Sequence, residues 1–470
     1  MIRTKSVLSP RADVVVVGGG LAGLTTATLL ARGGYAVTLI EQSQHLGGRA
    51  ITQNEKGFHF NLGPHGLYRA GQGANILHEL GVSFTGKTPT LGGSYAIRQG
   101  KPFALPLGLR GLLTSRLFGI AGKLEVSRLL AGLGKIDTTS IQHLSLQDWL
   151  HQATRLPEVR QFVEALVRLT TYTNAPERLS AGAALAQLQL AFSGITYIDG
   201  GWQVLVEGLR QAAQAAGVQF VMGAQVASIE HDAEGGMLFD HASQTLRDHR
   251  TVRAVRLTDG SVCQTTAVVL AINPKAASQL VGSSCSTTLH RWMSTASPVQ
   301  AACLDVALEK LPRPQNFFAL GIDQPVYLSV HSAYAKLAPQ DGAVIHVMKL
   351  DASSSKSDRK SDEQELEALL DLMQPGWRNQ VVARRFLPKI TVAHGIPCVS
   401  QSGAIAFGPA QGAIARLSPR VPEIENLYVV GDWLGGNGFL ADAALSSARQ
   451  AADMIMSHRE CDRPALSLVS

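Results

Sequence analysis

The sequence predicts an α/β fold that begins with a Rossmann-like strand–turn–helix–strand unit. Residues 14–17 form a continuous β-branched run, as expected of a buried parallel strand. A glycine-rich turn follows, and residues 22–32 have the apolar spacing of a helix that ends at Gly33 and Gly34. Residues 36–40 predict the second parallel strand, which completes the unit.

The rest of the chain predicts further helices and strands on both sides of a hairpin. The hairpin spans residues 252–270, because Asp259-Gly260 supplies a tight turn between β-branched runs. Short helices are expected within residues 100–135. Strands are predicted at 218–221, 225–230, 301–308, 325–330 and 427–430, and helices at 145–192, 203–216 and 441–456.

Composition excludes several classes of function. The chain has 470 residues, of which 45% are hydrophobic, enough for a large core and two or more domains. The net charge of +6 is spread along the chain, so we expect no nucleic-acid partner. The five cysteines form no CxxC pair, which predicts no metal site and a reducing, cytoplasmic compartment. No uncharged apolar stretch reaches the roughly 18 residues that a membrane span needs.

The glycine-rich turn has the spacing of a dinucleotide-binding motif. Gly18 permits the tight turn after the strand, and Gly20 lets a pyrophosphate approach the backbone. Gly23 lets the helix pack closely on the sheet. Leu21 and Ala22 lie at the helix N-terminus, where free N–H groups and the positive end of the helix dipole face the phosphates.

An acidic residue stands where such a motif requires one. Glu41 ends the second strand, 23 residues after Gly18, where a carboxylate accepts hydrogen bonds from ribose hydroxyls. Gln42 follows it and is predicted to contact the same part of the nucleotide. This context distinguishes a nucleotide site from a glycine-rich turn without a ligand, but it does not distinguish NAD from FAD.

Two further segments decide between these nucleotides. They are Gly47-Gly48-Arg49 and Asn61-Leu62-Gly63-Pro64-His65. With them the chain resembles the flavin amine oxidase and phytoene desaturase superfamily, which also includes protoporphyrinogen oxidases. The resemblance implies FAD as the cofactor, with Gly48 and Arg49 at its diphosphate and Gly63, Pro64 and His65 near the isoalloxazine ring. An arginine is well suited to neutralise a pyrophosphate.

The C-terminal part of the chain carries the second segment of this resemblance. The last predicted strand ends in Gly431-Asp432-Trp433, and a glycine-rich loop and the last helix follow. The resemblance implies that Gly431 and Asp432 contact the ribityl or diphosphate part of FAD; a turn or helix-capping aspartate is the alternative. It also implies that the backbone of Leu440 and Ala441 faces the flavin N1 and C2 carbonyl, where a helix N-terminus stabilises negative charge.

A third match, in the middle of the chain, completes the expected domain organisation. Gly200-Gly201-Trp202 and the strands that follow are similar to the family's middle FAD segment, which implies that Val226 meets the adenine. The family's FAD-binding domain is Rossmann-like, of the glutathione reductase type, and its α+β substrate domain is discontinuous. By that pattern the FAD-binding domain comprises residues 12–90, 196–284 and 396–458, and the substrate domain comprises residues 91–195 and 285–395.

The substrate side is expected to be apolar. Residues 100–135 are apolar with interspersed basic residues, and they either lie on a membrane surface or pack inside the substrate domain. Amine oxidases place a lysine near flavin N5, and the corresponding segment here, residues 298–303, contains none. His65 and Trp433 are the candidate catalytic residues, with packing beneath the flavin as the alternative for Trp433.

Together these features predict an FAD-dependent oxidoreductase, similar to phytoene desaturases. It would dehydrogenate or isomerise a small apolar, polyene-like substrate by hydride transfer to flavin N5. No second dinucleotide motif is present, so oxygen or a quinone is the expected electron acceptor. An amine or protoporphyrinogen oxidase is the alternative enzyme, and a prenyl- or lipid-binding protein on the same fold is the non-enzymatic alternative. We expect a cytoplasmic protein, with peripheral membrane contact as an option.

Overall fold

The fold consists of two main β-sheets with helices packed around them, as seen in a computed structural model. The structure describes residues 8–90, 92–232, 236–240, 245–282, 286–295, 298–350, 358–399, 418–434 and 438–461. Residues 435–437 of the predicted glycine-rich loop lie outside this set.

The helices and strands follow one another along the whole described chain. The strands are β1 (Arg11–Val17), β2 (Val37–Glu41), β3 (Thr52–Glu55), β4 (Phe58–Asn61), β5 (Leu67–Tyr68), β6 (Gly86–Lys87), β7 (Ser94–Arg98), β8 (Lys101–Ala104), β9 (Ile195–Ile198), β10 (Gln219–Met222), β11 (Val226–His231), β12 (Gly236–Asp240), β13 (Thr245–Leu257), β14 (Val262–Leu270), β15 (Val299–Leu308), β16 (Phe318–Gly321), β17 (Val326–Val330), β18 (Ala343–Leu350), β19 (Val381–Ala393), β20 (Ile424–Glu425) and β21 (Leu427–Val429). The helices are α1 (Leu21–Arg32), α2 (Gln72–Glu79), α3 (Gly108–Thr114), α4 (Ile120–Gly132), α5 (Leu146–Ala153), α6 (Pro157–Thr171), α7 (Ala181–Phe192), α8 (Gln203–Ala215), α9 (Pro274–Val281), α10 (Thr287–Thr295), α11 (Arg359–Met373) and α12 (Leu440–Cys461).

The larger, nine-stranded sheet contains the predicted Rossmann-like unit. Its parallel part has the order β10-β2-β1-β14-β21. Strand β1 lies in the middle and is buried on both faces, which explains its unbroken run of valines. Helices α1, α8 and α12 pack against this sheet through one continuous apolar cluster. The predicted α/β fold with a parallel sheet is confirmed.

The predicted hairpin links the parallel part of this sheet to its antiparallel part. β13 and β14 pair antiparallel, and Gly260 takes a φ of +88° in the turn between them. The Asp259 side chain accepts a hydrogen bond from the Ser261 N–H, which stabilises the turn. Beyond the hairpin, the end of β14 pairs in parallel with β1, as its apolar sequence predicts.

The second sheet has seven strands in the order β19-β15-β18-β17-β16-β7-β8. Helices α4 to α7 pack on one of its apolar clusters, and α11 packs on another. All its strands fall in the ranges predicted for the substrate domain, whereas the strands of the larger sheet fall in those predicted for the FAD-binding domain. The division into two domains stays a prediction. Among the described helices, none has the length and hydropathy to cross a membrane.

Candidate functional site

The segments predicted to bind the nucleotide meet at one edge of the larger sheet. The glycine-rich turn follows β1, Glu41 ends β2, and Gly431-Asp432 follows β21. These three strands are parallel, so their carboxyl ends lie at the same edge, where ligands bind in open α/β sheets. A parallel bridge between Gly20 and Gly47 joins the first glycine-rich segment to the second.

Two glycines of the motif are required by the protein itself. Gly18 has a φ of +108°, and a Cβ there would lie 2.6 Å from the carbonyl oxygen of Ala271. A Cβ on Gly23 would lie 1.9 Å from the carbonyl oxygen of Gly18. The tight turn and the close contact of helix α1 with β1 therefore explain both residues without a ligand.

Gly20 has no such internal explanation. Its φ is −78°, which any residue can adopt, and the nearest atom to a Cβ at this position would be the Gly47 carbonyl oxygen, 4.0 Å away. A Cβ on Gly48, on the facing segment, would meet only the Cα of Gly20, at 3.7 Å. Open space therefore separates the two segments at the N-terminus of α1, where a pyrophosphate would fit.

Glu41 holds the turn together while facing the same region. Its Oε2 accepts a hydrogen bond of 2.6 Å from the Gly19 N–H, and its Oε1 accepts one of 2.8 Å from the Ser43 N–H. Gln42 next to it is exposed. The Glu41 carbonyl oxygen accepts from the Ala224 N–H, which brings the start of β11, and so Val226, to this end of β2. The nucleotide contacts of Glu41, Gln42 and Val226 stay predictions.

Arg49 and Asp432, predicted as two separate FAD contacts, bind each other. The Arg49 Nη1 lies 2.8 Å from the Asp432 Oδ2, although the two residues are 383 positions apart. The Asp432 side chain is only 2% exposed. Burial alone would raise the pKa of Asp432, but the charge and hydrogen bond of Arg49 outweigh it and lower that pKa. The pair joins the N-terminal and C-terminal halves of the site.

Both side chains of the pair retain atoms that can form hydrogen bonds with a ligand. Asp432 Oδ2 also accepts from the His394 N–H, while Oδ1 is buried and has no hydrogen-bond partner among the described residues. Such an orphaned acceptor fits a hydroxyl donor, as a ribityl chain offers. The Arg49 side chain remains 38% exposed, and among the described residues only its Nη1 atom has hydrogen-bond partners, namely Asp432 and the Val392 carbonyl oxygen. These features fit the predicted FAD, with the open space between Gly20 and Gly48 beside them.

His65 links the two N-terminal segments through their backbone. Its Nδ1 lies 3.0 Å from the Gly63 carbonyl oxygen, and its Nε2 lies 3.2 Å from the Arg49 carbonyl oxygen. Burial lowers the pKa of His65 to about 4, so the ring is neutral at pH 7 and donates to only one of these oxygens. The ring also contacts Trp202 edge-on, with centroids 4.7 Å apart. Its surroundings therefore favour a positioning role.

Residues 61–65, whose last three are predicted to lie near the isoalloxazine ring, contact the second sheet at Gly63. We call residues 61–65 the Gly63 segment. Gly63 has a φ of +79°, and a Cβ there would lie 3.0 Å from Ile390, 3.3 Å from Met348 and 3.7 Å from the Cys303 Sγ. Cys303 belongs to β15. It is the last residue of the segment 298–303, which was compared above with the lysine-bearing segment of amine oxidases. Burial raises the pKa of Cys303, so its thiol is neutral at pH 7.

A buried charge network that the sequence did not predict lies behind this segment. Asp305 Oδ1 lies 2.5 Å from the His346 Nδ1, and Asp305 Oδ2 accepts from the Arg385 Nε at 2.7 Å. Arg385 also donates to the carbonyl oxygen of Asn61, at the start of the Gly63 segment. Burial would raise the pKa of Asp305, but His346 and Arg385 together lower it. The directly opposed residues of β15 and β18 form this contact, so only the strand register could have predicted it.

The C-terminal segment completes the site at the start of α12. Leu440, its first residue, has a φ of +56°, which is rare for a residue with a side chain. Asp442 accepts a hydrogen bond of 2.6 Å from the Gly73 N–H, and burial raises its pKa to about 6. Trp433 is buried, and its ring packs edge-on against Trp292 with centroids 6.2 Å apart. Its catalytic role and the alternative, packing beneath the flavin, both stay predictions.

The structure therefore brings most predicted site residues to one region, although their individual roles stay predictions. Those gathered at the sheet edge or at the Gly63 segment beside it are Gly18, Gly20, Leu21, Ala22, Gly23, Glu41, Gly48, Arg49, Gly63, Pro64, His65, Gly431 and Asp432. Leu440 and Ala441 start the helix that follows Asp432 in the chain, and Val226 starts β11.

Comparison with known proteins identifies the family. The sequence matches the family described as flavin-containing amine oxidoreductases over residues 21–456. A putrescine oxidase double mutant is similar in structure, with a TM-score of 0.68 over 95% of this chain and 99% of its own, at 16% identity. A protein described as a protoporphyrinogen oxidase, from Exiguobacterium, has a TM-score of 0.65 over 96% of this chain and 100% of its own, at 14% identity. At these identities the structures establish a shared fold.

A short sequence match connects the chain with an oxygenase. A 4,4'-diaponeurosporene oxygenase of Staphylococcus aureus is 45% identical over 51 residues, which is 11% of this chain. The match spans only 10% of that relative's length.

The different surroundings of Gly20 and Gly23 predict opposite behaviour of two alanine variants. Gly20→Ala places its methyl group in the open space, so we expect a free energy of unfolding within about 1 kcal/mol of the original protein but loss of FAD. Gly23→Ala forces its methyl group against the Gly18 carbonyl, so we expect about 3 kcal/mol lower stability. Urea unfolding and the ratio of flavin to protein absorbance measure both effects. A Gly20→Ala protein that purifies fully yellow would refute this assignment.

The Arg49–Asp432 pair predicts an asymmetric and pH-dependent loss of stability. Arg49→Met leaves Asp432 buried and unpaired, which should cost about 3 kcal/mol at pH 7, whereas Asp432→Asn keeps the His394 hydrogen bond and should cost less. Without Arg49, burial raises the pKa of Asp432, so Arg49→Met should regain stability as the pH falls and the carboxylate is protonated. Urea unfolding at pH 5 and pH 7, with and without FAD, measures these changes. Equal losses in both variants at both pH values would contradict the pairing.

Proposed function

The chain belongs to the family of flavin-containing amine oxidoreductases and is an FAD-dependent oxidoreductase, and we propose that it dehydrogenates or isomerises an extended apolar, polyene-like molecule. The observation that carries the proposal is the set of apolar side chains, Cys303, Met348 and Ile390, that the second sheet packs next to Gly63. FAD, when bound, supplies the hydride acceptor for such a reaction.

The protein's own residues supply binding, orientation and exclusion of water. Backbone groups for the diphosphate come from the start of α1 and from the segment Gly47-Gly48-Arg49. Arg49 and Asp432 also offer a guanidinium and a carboxylate beside them. His65 and Arg385 fix the Gly63 segment through its backbone and that of Asn61. Dehydrogenation releases a hydride and a proton from neighbouring carbon atoms. We assign the proton to solvent rather than to a side chain, and the orientation of the C–H bond to the apolar residues of the site.

The apolar side chains around Cys303 support an apolar substrate. They form the cluster shared by the second sheet and helices α4 to α7, with Phe439 contributing from the segment before α12. Its members close to the Gly63 segment are Cys303, Met348 and Ile390, which carry no charge at pH 7. The 4,4'-diaponeurosporene named in the short sequence match is a polyene of this chemical class.

The absence of a lysine from β15 weighs against an amine oxidase. No residue of this strand is a lysine, and Cys303 lies where β15 approaches the Gly63 segment. An amine substrate is cationic before reaction and needs either a negative partner or aromatic faces around it. A protoporphyrinogen-like oxidase remains the second candidate, since a porphyrinogen is also largely apolar. The electron acceptor that we propose is oxygen or a quinone.

An exposed patch on helices α3 and α4 fits a peripheral membrane contact. Leu113, Ile120 and Leu124 are 66%, 82% and 67% exposed, and the Lys123 ammonium holds the two helices together by donating to the Leu113 carbonyl oxygen. Four basic residues lie in the same stretch of chain, namely Arg110, Arg116, Lys123 and Arg128. Exposed apolar side chains with basic residues near them in sequence suit an anionic membrane surface, from which a lipophilic substrate would enter. We call Leu113, Ile120, Leu124 and these four basic residues the basic–apolar patch.

Anaerobic mixing of the flavin-loaded protein with candidate substrates tests the proposed reaction. We expect 4,4'-diaponeurosporene or another polyene hydrocarbon to bleach the flavin absorption, because its C–H bonds are oriented in the apolar site. Putrescine and other amines should leave the spectrum unchanged. Gly20→Ala, which is expected to fold without FAD, serves as the control for cofactor-independent changes. Bleaching by an amine or a porphyrinogen, and not by any polyene, would establish the corresponding alternative.

Vesicle sedimentation tests the basic–apolar patch. Ile120→Ser should lower binding to phosphatidylglycerol-containing vesicles about 10-fold, because it removes apolar area from the interface. Phe192→Ser is the matched control, since Phe192 is also exposed, at 51%, but lies outside the patch. The flavin spectrum of both variants should be unchanged. Equal binding of Ile120→Ser and the original protein, or binding that neither vesicle charge nor salt alters, would contradict the proposal.

A further inference from the structure

Tyr172 has a backbone conformation that its residue type disfavours. It follows the last residue of helix α6 and takes a φ of +57° and a ψ of +16°. Glycine or asparagine usually occupies this position at the end of a helix, since a side chain there costs about 1 kcal/mol. Strained residues of this kind persist where the surrounding structure holds them, often at ligand sites. The contacts of the Tyr172 side chain therefore bear on its function.

The Tyr172 hydroxyl is oriented by a second tyrosine. Tyr327, on β17, donates a hydrogen bond of 3.2 Å to the Tyr172 oxygen, and the two rings meet edge-on with centroids 6.1 Å apart. Because Tyr327 is the donor, the proton of Tyr172 points away from it. None of the residues that the structure describes accepts that proton in a hydrogen bond. Tyr172 therefore presents a free donor in a fixed direction.

This donor lies among the apolar residues next to the Gly63 segment. Tyr327 opposes Met348 in the sheet, and both Met348 and Cys303 lie under Gly63. Tyr327 is buried, whereas Tyr172 keeps some accessible surface. Tyr172 is half-buried, so part of its side chain stays accessible next to these apolar residues, and burial of the rest raises its pKa to about 12. Tyr172 is thus a neutral hydrogen-bond donor on an otherwise apolar wall.

We infer that Tyr172, oriented by Tyr327, donates a hydrogen bond to an oxygen atom of the substrate. The inference rests on the proposed function and narrows it, since it adds one oxygen acceptor, such as a hydroxyl or carbonyl group, to an extended apolar molecule. A donor that a bound substrate covers without pairing loses its hydrogen bond to water, so a substrate that accepts from Tyr172 is preferred over one that does not. Tyr172 is therefore a specificity-determining residue.

The test compares a polyene hydrocarbon with the same polyene carrying a terminal aldehyde. Binding of each probe is measured by its perturbation of the flavin absorption band, and oxidation by anaerobic bleaching. The original protein should prefer the aldehyde about 10-fold, and Tyr172→Phe should remove this preference without changing affinity for the hydrocarbon. Tyr327→Phe should weaken the preference, because it frees the Tyr172 hydroxyl to rotate.

Tyr68→Phe is the matched control. Its hydroxyl is also buried, but it already donates to the Thr170 carbonyl oxygen, so its loss should lower stability and leave the preference unchanged. An equal preference in the original protein and Tyr172→Phe would overturn the inference. Preferential binding that Tyr172→Phe abolishes, with no oxidation of either probe, would instead uphold the recognition site and refute the proposed reaction.

Discussion

The ion pair between Arg49 and Asp432 is the contact on which the rest of the site depends. It connects the turn after β2 with the turn after β21, so the two termini of the chain form one surface. Asp432 is almost fully buried, and its charge is tolerated only because Arg49 compensates it. The same compensation means that Arg49 brings little net charge to a diphosphate. We therefore expect phosphate recognition to fall mainly to the backbone N–H groups at the start of α1.

The second sheet is connected to this site by hydrogen bonds to backbone carbonyl oxygens, and not by side chains that face a ligand. Asp305 holds Arg385, Arg385 binds the Asn61 carbonyl oxygen, and His65 ties the following residues to the carbonyl oxygen of Arg49. A chain of hydrogen bonds therefore runs from the substrate side to the ion pair. Every charged group in it has a partner, which buried charges require. The Gly63 segment is thus fixed from both sheets.

The sequence was most informative where the chemistry is local. The glycine spacing predicted the turn after β1, because the steric reasons for Gly18 and Gly23 lie within a short stretch of chain. Arg49 and Asp432 were both singled out, but not as partners, since a contact between residues 383 positions apart leaves no local pattern. The Asp305–His346 contact was missed for a related reason: it follows from the register of β15 against β18. Tyr172 carries no sequence signal, because the strain of its backbone is visible only in the structure.

We expect that segments near both termini form a single FAD site, closed by the Arg49–Asp432 pair. Hydrogen–deuterium exchange of the FAD-free and FAD-loaded protein tests it most directly. FAD should slow exchange together in the turn after β1, in the segment around Arg49 and in the first turns of α12. Protection confined to the N-terminal segments, with exchange around Asp432 and α12 unchanged, would contradict it.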